Sequence, residues 1–387
     1  MNRARAAATA LFFINGATFG SWVSRIPDVT RGLGLSEREL GLALFGVAAG
    51  AIFALPAVVR AVRLVGSRRV CLWTAVTFCA TLPLLALASS LPALAGALTL
   101  FGAANGALDV SMNDNGGGLE RRRGHPIMGT LHAAFSCGGA AGALVGAAVA
   151  AAELGPLVHF AAAAAVLAVG SLWAGRHLVD VSDALPAGGW TRPRRSRALL
   201  TLLVVGLCAA LAEGAVGDWS ALYLVETLGA SRSVGAIGFV AFSALMVAGR
   251  LAEDRLVRRF GGATLRRAGG ATAAAGMAAA LLAGRPWAAV LALGVVGAGL
   301  AVVFPVTMSG ASRIAGLAPA SGVAVVSGMA YTSLLAGPPL IGLLAEATSL
   351  QTALWMVTAC LAAVTVLPAA PLITDPAAPT ESGLTAA

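Results

Sequence analysis

The sequence predicts an all-α membrane protein in which twelve transmembrane helices form two pseudo-symmetric six-helix bundles. Three observations predict this fold: an apolar composition, twelve apolar runs of membrane-spanning length, and a repeat between the two halves of the chain. Of the 387 residues, 58% are hydrophobic and only 11% are charged, against about 25% in a soluble domain. So few charged side chains cannot cover a soluble core of this size, which excludes a soluble globular enzyme.

A run of about 20 apolar residues is long enough to cross a bilayer as a helix. Such runs, bounded by charged residues or by Pro and Gly, lie at residues 7–26, 37–59, 70–89, 91–113, 127–150, 156–175, 198–222, 233–252, 264–283, 287–309, 319–343 and 350–370. The polar stretch 176–197 separates the first six runs from the last six. We therefore expect an N-terminal bundle at 1–175, a cytoplasmic linker at 176–197, a C-terminal bundle at 198–370 and a flexible tail at 371–387.

All 26 basic residues are arginine, and they fall in short clusters between the apolar runs. The net charge of +9 is therefore interpreted as a topology signal, and no nucleic-acid partner is expected. Most of the arginines lie on the side of the N-terminus, so the positive-inside rule predicts a multi-pass protein of the cytoplasmic membrane with both termini in the cytoplasm. The lack of lysine excludes a P-loop and ATP-driven pumping by this chain.

The two halves of the chain resemble each other at an offset of 195 residues. Leu33–Ser36 recurs as Leu228–Ser231, before the second run of each half, and Gly66, Gly102 and Gly142 recur as Gly261, Gly297 and Gly337. A parallel repeat of six helices places a binding cavity between the halves, near the middle of the membrane.

Two segments link this pattern to a known family. The loop after the second run ends in Gly66–Arg69, and the loop after the eighth run is expected at Gly249–Arg255. Both resemble the G-x-L-x-D-R-x-G-R-R loop of the major facilitator superfamily. The first copy has Arg63 in place of the Asp, and the second has one residue too many before Asp254.

Four further segments, Gly20–Trp22, Ser24–Asp28, Asn105–Asn113 and Glu213–Ser220, resemble a bacterial branch related to fucose–proton symporters. The resemblance implies a twelve-helix secondary transporter. In those symporters an acid in span 4 takes part in proton coupling, and Asp109 matches it. Span 1 offers Asn15 in place of their sugar-binding acid, so a fucose-like substrate does not carry over.

Ionisable groups inside the hydrocarbon layer cost at least about 2.5–3.5 kcal/mol, so each needs a partner, a cavity or a task. Asn105, Asp109 and Asn113 recur every four residues and lie on one face of span 4. His132 in span 5 is expected at the depth of Asp109, where the two could share a proton. A fixed hydrogen bond between the helices is the alternative interpretation.

Span 7 carries Glu213 near its middle and Asp218 closer to the outer face. We predict proton coupling through Asp109, Glu213 and His132. Asp218 and Arg25, at the outer end of span 1, are predicted to form an outer gate, although Asp218 as a solvated end charge is an open alternative.

Uncharged polar groups complete the predicted cavity: Asn15, Asn105, Asn113 and Tyr331 are expected to contact substrate. The glycine clusters at Gly46 and Gly50, at Gly138–Gly146 and at Gly294–Gly299 lie inside runs, where they predict close helix packing rather than nucleotide binding. The five cysteines stand singly, and no metal site, cofactor or hydrolase motif is expected.

The sequence therefore predicts a non-enzymatic secondary transporter that moves a small organic solute by alternating access. The expected partners are this solute, a proton or other coupling ion and the lipid bilayer, and the chain is expected to be monomeric. Two alternatives stay open: a drug or metabolite exporter of the same fold, and a membrane sensor or scaffold that transports nothing.

Overall fold

The computed structural model describes residues 2–123, 127–180, 197–311, 314 and 319–367. For residue 254 and for several residues within 319–331 it describes the backbone alone. Within these ranges the chain forms helices and no strand. The helices are α1 (Asn2–Val23), α2 (Ile26–Leu33), α3 (Glu37–Val65), α4 (Ser67–Leu87), α5 (Leu91–Arg123), α6 (Met128–Ala151), α7 (Pro156–His177), α8 (Arg197–Leu222), α9 (Arg232–Phe260), α10 (Gly262–Leu282), α11 (Pro286–Ala311), α12 (Pro319–Ala347) and α13 (Leu350–Val366). A π-helical turn, Tyr223–Thr227, continues α8.

Ten helical segments in the described ranges are long and apolar enough to cross a membrane. The short α2 continues α1 as one such segment. Of the remaining two helices, α13 is apolar but has only 17 residues, and α10 carries Arg266 and Arg267 near its start. Both pack among the other helices, so the predicted set of twelve long helices is present.

The long helices alternate in direction, which gives the molecule two distinct ends. The end at which α1 begins also holds the α3–α4, α5–α6 and α9–α10 connections, with Arg60, Arg68, Arg121 and Arg258. We call it the basic end. The α4–α5, α6–α7, α8–α9 and α12–α13 connections lie at the opposite end.

The repeat expected from the sequence is present in the helix bounds. Helices α3 and α9 both have 29 residues, and α4 and α10 both have 21; the members of each pair begin 195 positions apart. A single glycine with positive φ joins the two helices in each half, Gly66 at φ 86° and Gly261 at φ 75°. Glycine reaches this backbone region without the steric cost that a Cβ adds.

Close helix packing at glycine follows the same repeat. Gly102 in α5 lies against the backbone carbonyl of Val47 in α3, and Gly297 in α11 lies against that of Phe242 in α9. Both members of the second pair are 195 positions beyond those of the first. The predicted role of the glycine clusters in helix packing is confirmed at these and other positions, since Gly138 and Gly142 lie against the backbone of α1.

Two bundles meet through two helix pairs. Helices α1 and α3–α7 pack together, α8–α13 pack together, and the bundles contact each other mainly where α3 meets α12 and where α6 meets α9. The repeat relates α3 to α9 and α6 to α12, so the two contacts exchange under a pseudo-twofold axis. The fold predicted from the sequence is thus confirmed.

At the opposite end the bundles are held together. Three ion pairs cross between them: Arg31 with Glu226, Arg38 with Glu346, and Arg232 with Asp28. Gly41 of α3 and Gly342 of α12 also bring the backbones of their two helices into close approach near this end. The structure is therefore closed at the opposite end.

Several helices extend beyond the predicted runs, and the longest extensions are at the basic end. Helix α5 ends at Arg123 instead of residue 113, and α9 ends at Phe260 instead of 252. The segment Gly249–Arg255, expected at a loop, therefore lies inside α9, and this expectation was wrong. Charged residues in the last turns are compatible with a helix that continues past the hydrocarbon layer, so they did not mark helix ends.

Candidate functional site

Three of the predicted site residues lie at one depth, on three helices that run through the middle of the molecule. At 1.5 Å per residue, Asn15 in α1, Asp109 in α5 and Glu213 in α8 are each about 20–24 Å from the basic end of their helix. Asp109 and Glu213 are only partly buried although they lie halfway along apolar helices. Asp109 and Glu213 thus form an acidic layer at mid-depth, where each acid needs a partner, a cavity or a task.

On α5 the expected polar stripe is present. The Nδ2 of Asn113 donates to the Oδ1 of Asp109 at 3.0 Å and to its backbone oxygen at 2.9 Å. Asn105, one turn further from the basic end, is partly exposed. The amide of Asn113 thus holds the carboxylate of Asp109 from one side and fixes its rotamer.

Asn15 is 1% exposed, and its Nδ2 contacts the sulfur of Met112 in α5 at 3.6 Å. Its buried Oδ1 has no hydrogen-bond partner in the part of the chain that the structure describes. A buried unsatisfied amide oxygen is costly to folding, so its presence calls for a functional explanation. Asn15 therefore offers an acceptor beside the polar face of α5.

A second group, which we call the Arg250 cluster, consists of Ser136, Glu213 and Arg250. The NH1 of Arg250 donates to the Oγ of Ser136 at 2.6 Å, and its NH2 lies 3.5 Å from the Oε1 of Glu213. Ser136 belongs to α6 and Arg250 to α9, so this hydrogen bond joins the two bundles. The Glu213 side chain is 37% exposed and that of Arg250 is 13% exposed.

His132 does not share the depth of Asp109. Because α5 is longer than predicted, Asp109 lies about 21 Å from the basic end and His132 about 6 Å. Helix α6 packs mainly against α1 and α9, and the His132 ring contacts that of Phe12 edge-on, with centroids 5.3 Å apart. No hydrogen bond or ion pair joins His132 to Asp109 among the described residues, so the expected proton-sharing pair is not formed.

The expected ion pair of Arg25 with Asp218 is also not formed. The Nε of Arg25 lies 2.7 Å from the Oδ2 of Asp28, and its NH2 donates to the backbone oxygen of Leu154. The other carboxylate oxygen of Asp28 pairs with Arg232 at 2.9 Å. The turn between α1 and α2 brings Asp28 within reach of Arg25, and this local contact replaces the one predicted across the bundles.

Asp218 instead faces a small cavity between α8 and α12, lined by Gly214, Trp219, Ser333 and Pro338 among others. The cavity is about 10 Å³, room for about one water molecule. Helix α8 continues through Gly214 and Gly217, so Glu213 and Asp218 point in different directions, as their spacing predicts.

Tyr331 lies on α12, and its side chain is outside the described residues. Across the described ranges, no group of three or more His, Cys, Asp or Glu side chains is arranged to hold a metal ion.

These features agree with a comparison against known protein families. The family model described as Major Facilitator Superfamily matches residues 7–334. The chain belongs to this superfamily. An uncharacterized transporter, y4wD, from Sinorhizobium fredii is 33% identical over 361 residues, which cover 92% of this chain and 95% of that protein. The membrane protein MosC of Rhizobium meliloti is 32% identical, with 90% and 85% covered.

Solved structures of the superfamily share the fold. The nucleoside transporter NupG superposes with a TM-score of 0.72 at 14% identity, covering 94% of this chain and 98% of that one. FucP in its outward conformation has a TM-score of 0.64 at 15% identity, covering 94% and 97%. The predicted family, transporter class and non-enzymatic role are supported by the family model and by the relative named as a transporter, while the solved structures confirm the fold.

The Arg250 cluster and Asp28 are the features that the sequence analysis missed. Gly261 matches Gly66, and α3 and α9 end just before these two glycines, which the predicted runs did not indicate. Arg250 then lies about 15 Å inside α9 instead of in a loop.

Proposed function

We propose that this transporter moves a small polar organic solute across the cytoplasmic membrane by alternating access, driven by a proton gradient. The observation that carries the proposal is the acidic layer at mid-depth, with Asp109 in one bundle and Glu213 in the other, in a pair of repeat-related bundles that three ion pairs join at the opposite end. Rocking about the α3–α12 and α6–α9 contacts would open one end as the other closes.

Asp109 and Glu213 are the proposed proton carriers. A carboxylate that changes partners can bind a proton on one side of the membrane and release it on the other. Each proton that crosses 100 mV supplies about 2.3 kcal/mol, enough for useful accumulation. His132, near Arg250 and the basic end, is proposed to pass protons between the Arg250 cluster and solvent.

Asn15, Asn105, Asn113 and Tyr331 are the proposed solute contacts. Amide and hydroxyl groups hydrogen-bond hydroxyls and carbonyls, which favours a polar solute over an amphiphilic drug. The orphan Oδ1 of Asn15 and the partly exposed side chain of Asn105 support this assignment.

The basic end is proposed to face the cytoplasm, since the arginines concentrate there and cytoplasmic loops are rich in Arg. The opposite end then holds the outer gate. Arg25 is proposed to contribute to this gate by pairing with Asp28, which also pairs with Arg232, and not by pairing with Asp218. We propose that the protein is a monomer, in which the N-terminal bundle ends near residue 175 and the C-terminal bundle begins near residue 198.

The test begins with a thermal-shift screen of the purified protein against sugars, amino acids, organic acids and drugs, because a true ligand stabilises the form that it binds. Stabilising solutes are then assayed in proteoliposomes, first by counterflow and then by uptake under an imposed pH gradient. Wild-type protein should show both activities. Glu153→Gln, which removes an exposed acid at the opposite end that takes part in none of the three ion pairs between the bundles, is the matched control.

Asp109→Asn and Glu213→Gln should keep counterflow, which needs no net proton movement, and lose accumulation driven by the pH gradient. Full accumulation by Asp109→Asn would remove that residue from coupling. Counterflow limited to amphiphilic drugs would favour the exporter. A stabilising solute that shows no counterflow is the result expected of a sensor or scaffold.

A further inference from the structure

Arg250 is a cation near the basic end of the membrane-spanning part of α9, which runs from Arg232 to Glu253. It lies about 15 Å from the basic end of α9, with a side chain only 13% exposed. An arginine in this position needs a partner, a cavity or a task. Its described partners are one hydroxyl and one carboxylate, so the first question is whether they satisfy it.

Ser136 and Glu213 satisfy the hydrogen-bonding capacity of the Arg250 guanidinium only in part. The guanidinium has five N–H donors; one donates to Ser136, and NH2 lies 3.5 Å from the Glu213 carboxylate. That contact is longer than those of Arg25 with Asp28 and Arg31 with Glu226, at 2.7 Å each, and shorter than the 3.8 Å of the exposed pair Arg38 with Glu346. Over a third of the Glu213 side chain is exposed, so the pair borders open space rather than a closed core.

The repeat shows that the fold does not require this pair. The position equivalent to Arg250 in the N-terminal half is Leu55, and the position equivalent to Glu213 is Thr18. The same helix framework therefore packs with neutral residues at both places. The charges are therefore an addition to one half only.

From these observations we propose that Arg250 binds an anionic group of the transported solute, a carboxylate or a phosphate, in the place that Glu213 holds in this structure. This inference rests on the transport function proposed above and narrows the solute to an organic anion. Ser136 fixes one nitrogen of the guanidinium and leaves the others to pair with two oxygens of the anion, the bidentate geometry for which arginine is suited.

The exchange also links the solute to the proton. While Glu213 is ionised it competes with the anion for Arg250, and a proton on Glu213 removes that competition. Solute and proton would then enter the site together. The uncharged part of the solute would lie toward the amides of Asn15 and Asn105.

The test uses acetate as a carboxylate probe and sulfate as a probe of phosphate-like anions, each compared with chloride at equal ionic strength. Melting temperature is measured on the purified full-length protein in detergent. In Glu213→Gln the competing carboxylate is gone, so the anion that fits should raise the melting temperature by about 2 °C. The rise should be absent in Glu213→Gln/Arg250→Gln and kept in Glu213→Gln/Arg255→Gln, where the lost cation is an exposed one on the same helix.

Glu213→Gln/Arg250→Lys guards against a folding defect, because it keeps the charge while losing the forked donor geometry, and it should show a smaller rise. A preference for acetate identifies a carboxylate, and a preference for sulfate a phosphate. Equal responses with and without Arg250 overturn the proposal. Counterflow of a neutral solute that Arg250→Gln leaves unchanged also overturns it and leaves the transport function intact, whereas a clear anion response without any counterflow overturns the transport function alone.

Discussion

Arg31 and Glu226 are equivalent residues of the two repeats, and they bind each other. They stand 195 positions apart, the offset of the repeat, and the Nε of Arg31 lies 2.7 Å from the Oε1 of Glu226. Two equivalent points related by a twofold axis can touch only if both lie close to that axis. This ion pair therefore marks the pseudo-twofold axis at the opposite end, where the bundles are closed.

Reversing the charge of either residue should weaken closure at this end. Arg31→Glu places two carboxylates together on the axis, while Arg31→Glu/Glu226→Arg restores attraction with the signs exchanged. Both side chains are about two-fifths exposed, so the pair is worth about 0.2–1 kcal/mol. The single variant should therefore raise the open population by a small factor.

The measurement is an electron paramagnetic resonance distance between spin labels at Gly32→Cys and Thr227→Cys, two exposed and repeat-equivalent positions, in a background without native cysteines. The single reversal should add a longer distance that the double reversal removes. If the single and double variants give the same distribution, the pair does not hold this end closed.

The Arg25–Asp28–Arg232 chain should contribute most to stability through its buried members. Asp28 is 4% exposed and Arg25 1%, so Asp28→Asn leaves a buried cation without its carboxylate, a change that costs about 3–5 kcal/mol. Arg232 is half-exposed, and Arg232→Gln should cost about 1 kcal/mol or less. Thermal unfolding in detergent should separate the two variants clearly; equal melting temperatures would show that the Arg25–Asp28 pair adds little.

The fold was predictable because its determinants are local or periodic. Apolar runs interrupted by arginine indicate the helices, and the repeat indicates two bundles. Asp109 and Glu213 were also found from the sequence, because the cost of a buried acid distinguishes them from their apolar neighbours. Their place near the middle of a span follows from helix geometry once the apolar run around each acid is recognised.

The hydrogen-bond and ion-pair partners of the site residues were less predictable, because they depend on which helices are neighbours. His132 was expected beside Asp109 on the consecutive helix, but α6 packs against α1 and α9. A wrong end for α5 shifted Asp109 by several turns relative to His132. Arg25 had an acid three residues away on the short α2, and α2 was not expected to be a separate helix.

Close helix packing at glycine can be tested at two positions that the repeat makes equivalent. A Cβ on Gly102 would collide with the Val47 backbone, and one on Gly297 with the Phe242 backbone. Gly102→Ala and Gly297→Ala should therefore each destabilise the protein by about 1–3 kcal/mol, since backbone atoms cannot move aside as side chains do.

Gly96→Ala, also on α5, is the matched control, because no atom lies within 4 Å of the added methyl group. It should be neutral or stabilising by up to about 1 kcal/mol through helix propensity. The melting temperatures of the three variants measure these changes in stability. Similar values for Gly96→Ala and Gly102→Ala would mean that α3 and α5 do not approach as closely as described.

Arg266 should hold the end of α13, although the sequence analysis counted it only as a topology signal. It is 4% exposed, and its two terminal nitrogens donate to the backbone oxygens of Val364 at 2.7 Å and Leu367 at 2.8 Å. Carbonyls at a helix C-terminus have no partner within the helix, and a hydrogen bond from a charged group is worth about 1.5–3 kcal/mol.

Arg266→Met should thus lower the melting temperature and speed amide hydrogen exchange in the last turns of α13. Arg267→Met removes the adjacent, exposed arginine and should change neither quantity. If both variants exchange and melt alike, the end of α13 is held by its apolar contacts with α10 and not by the guanidinium.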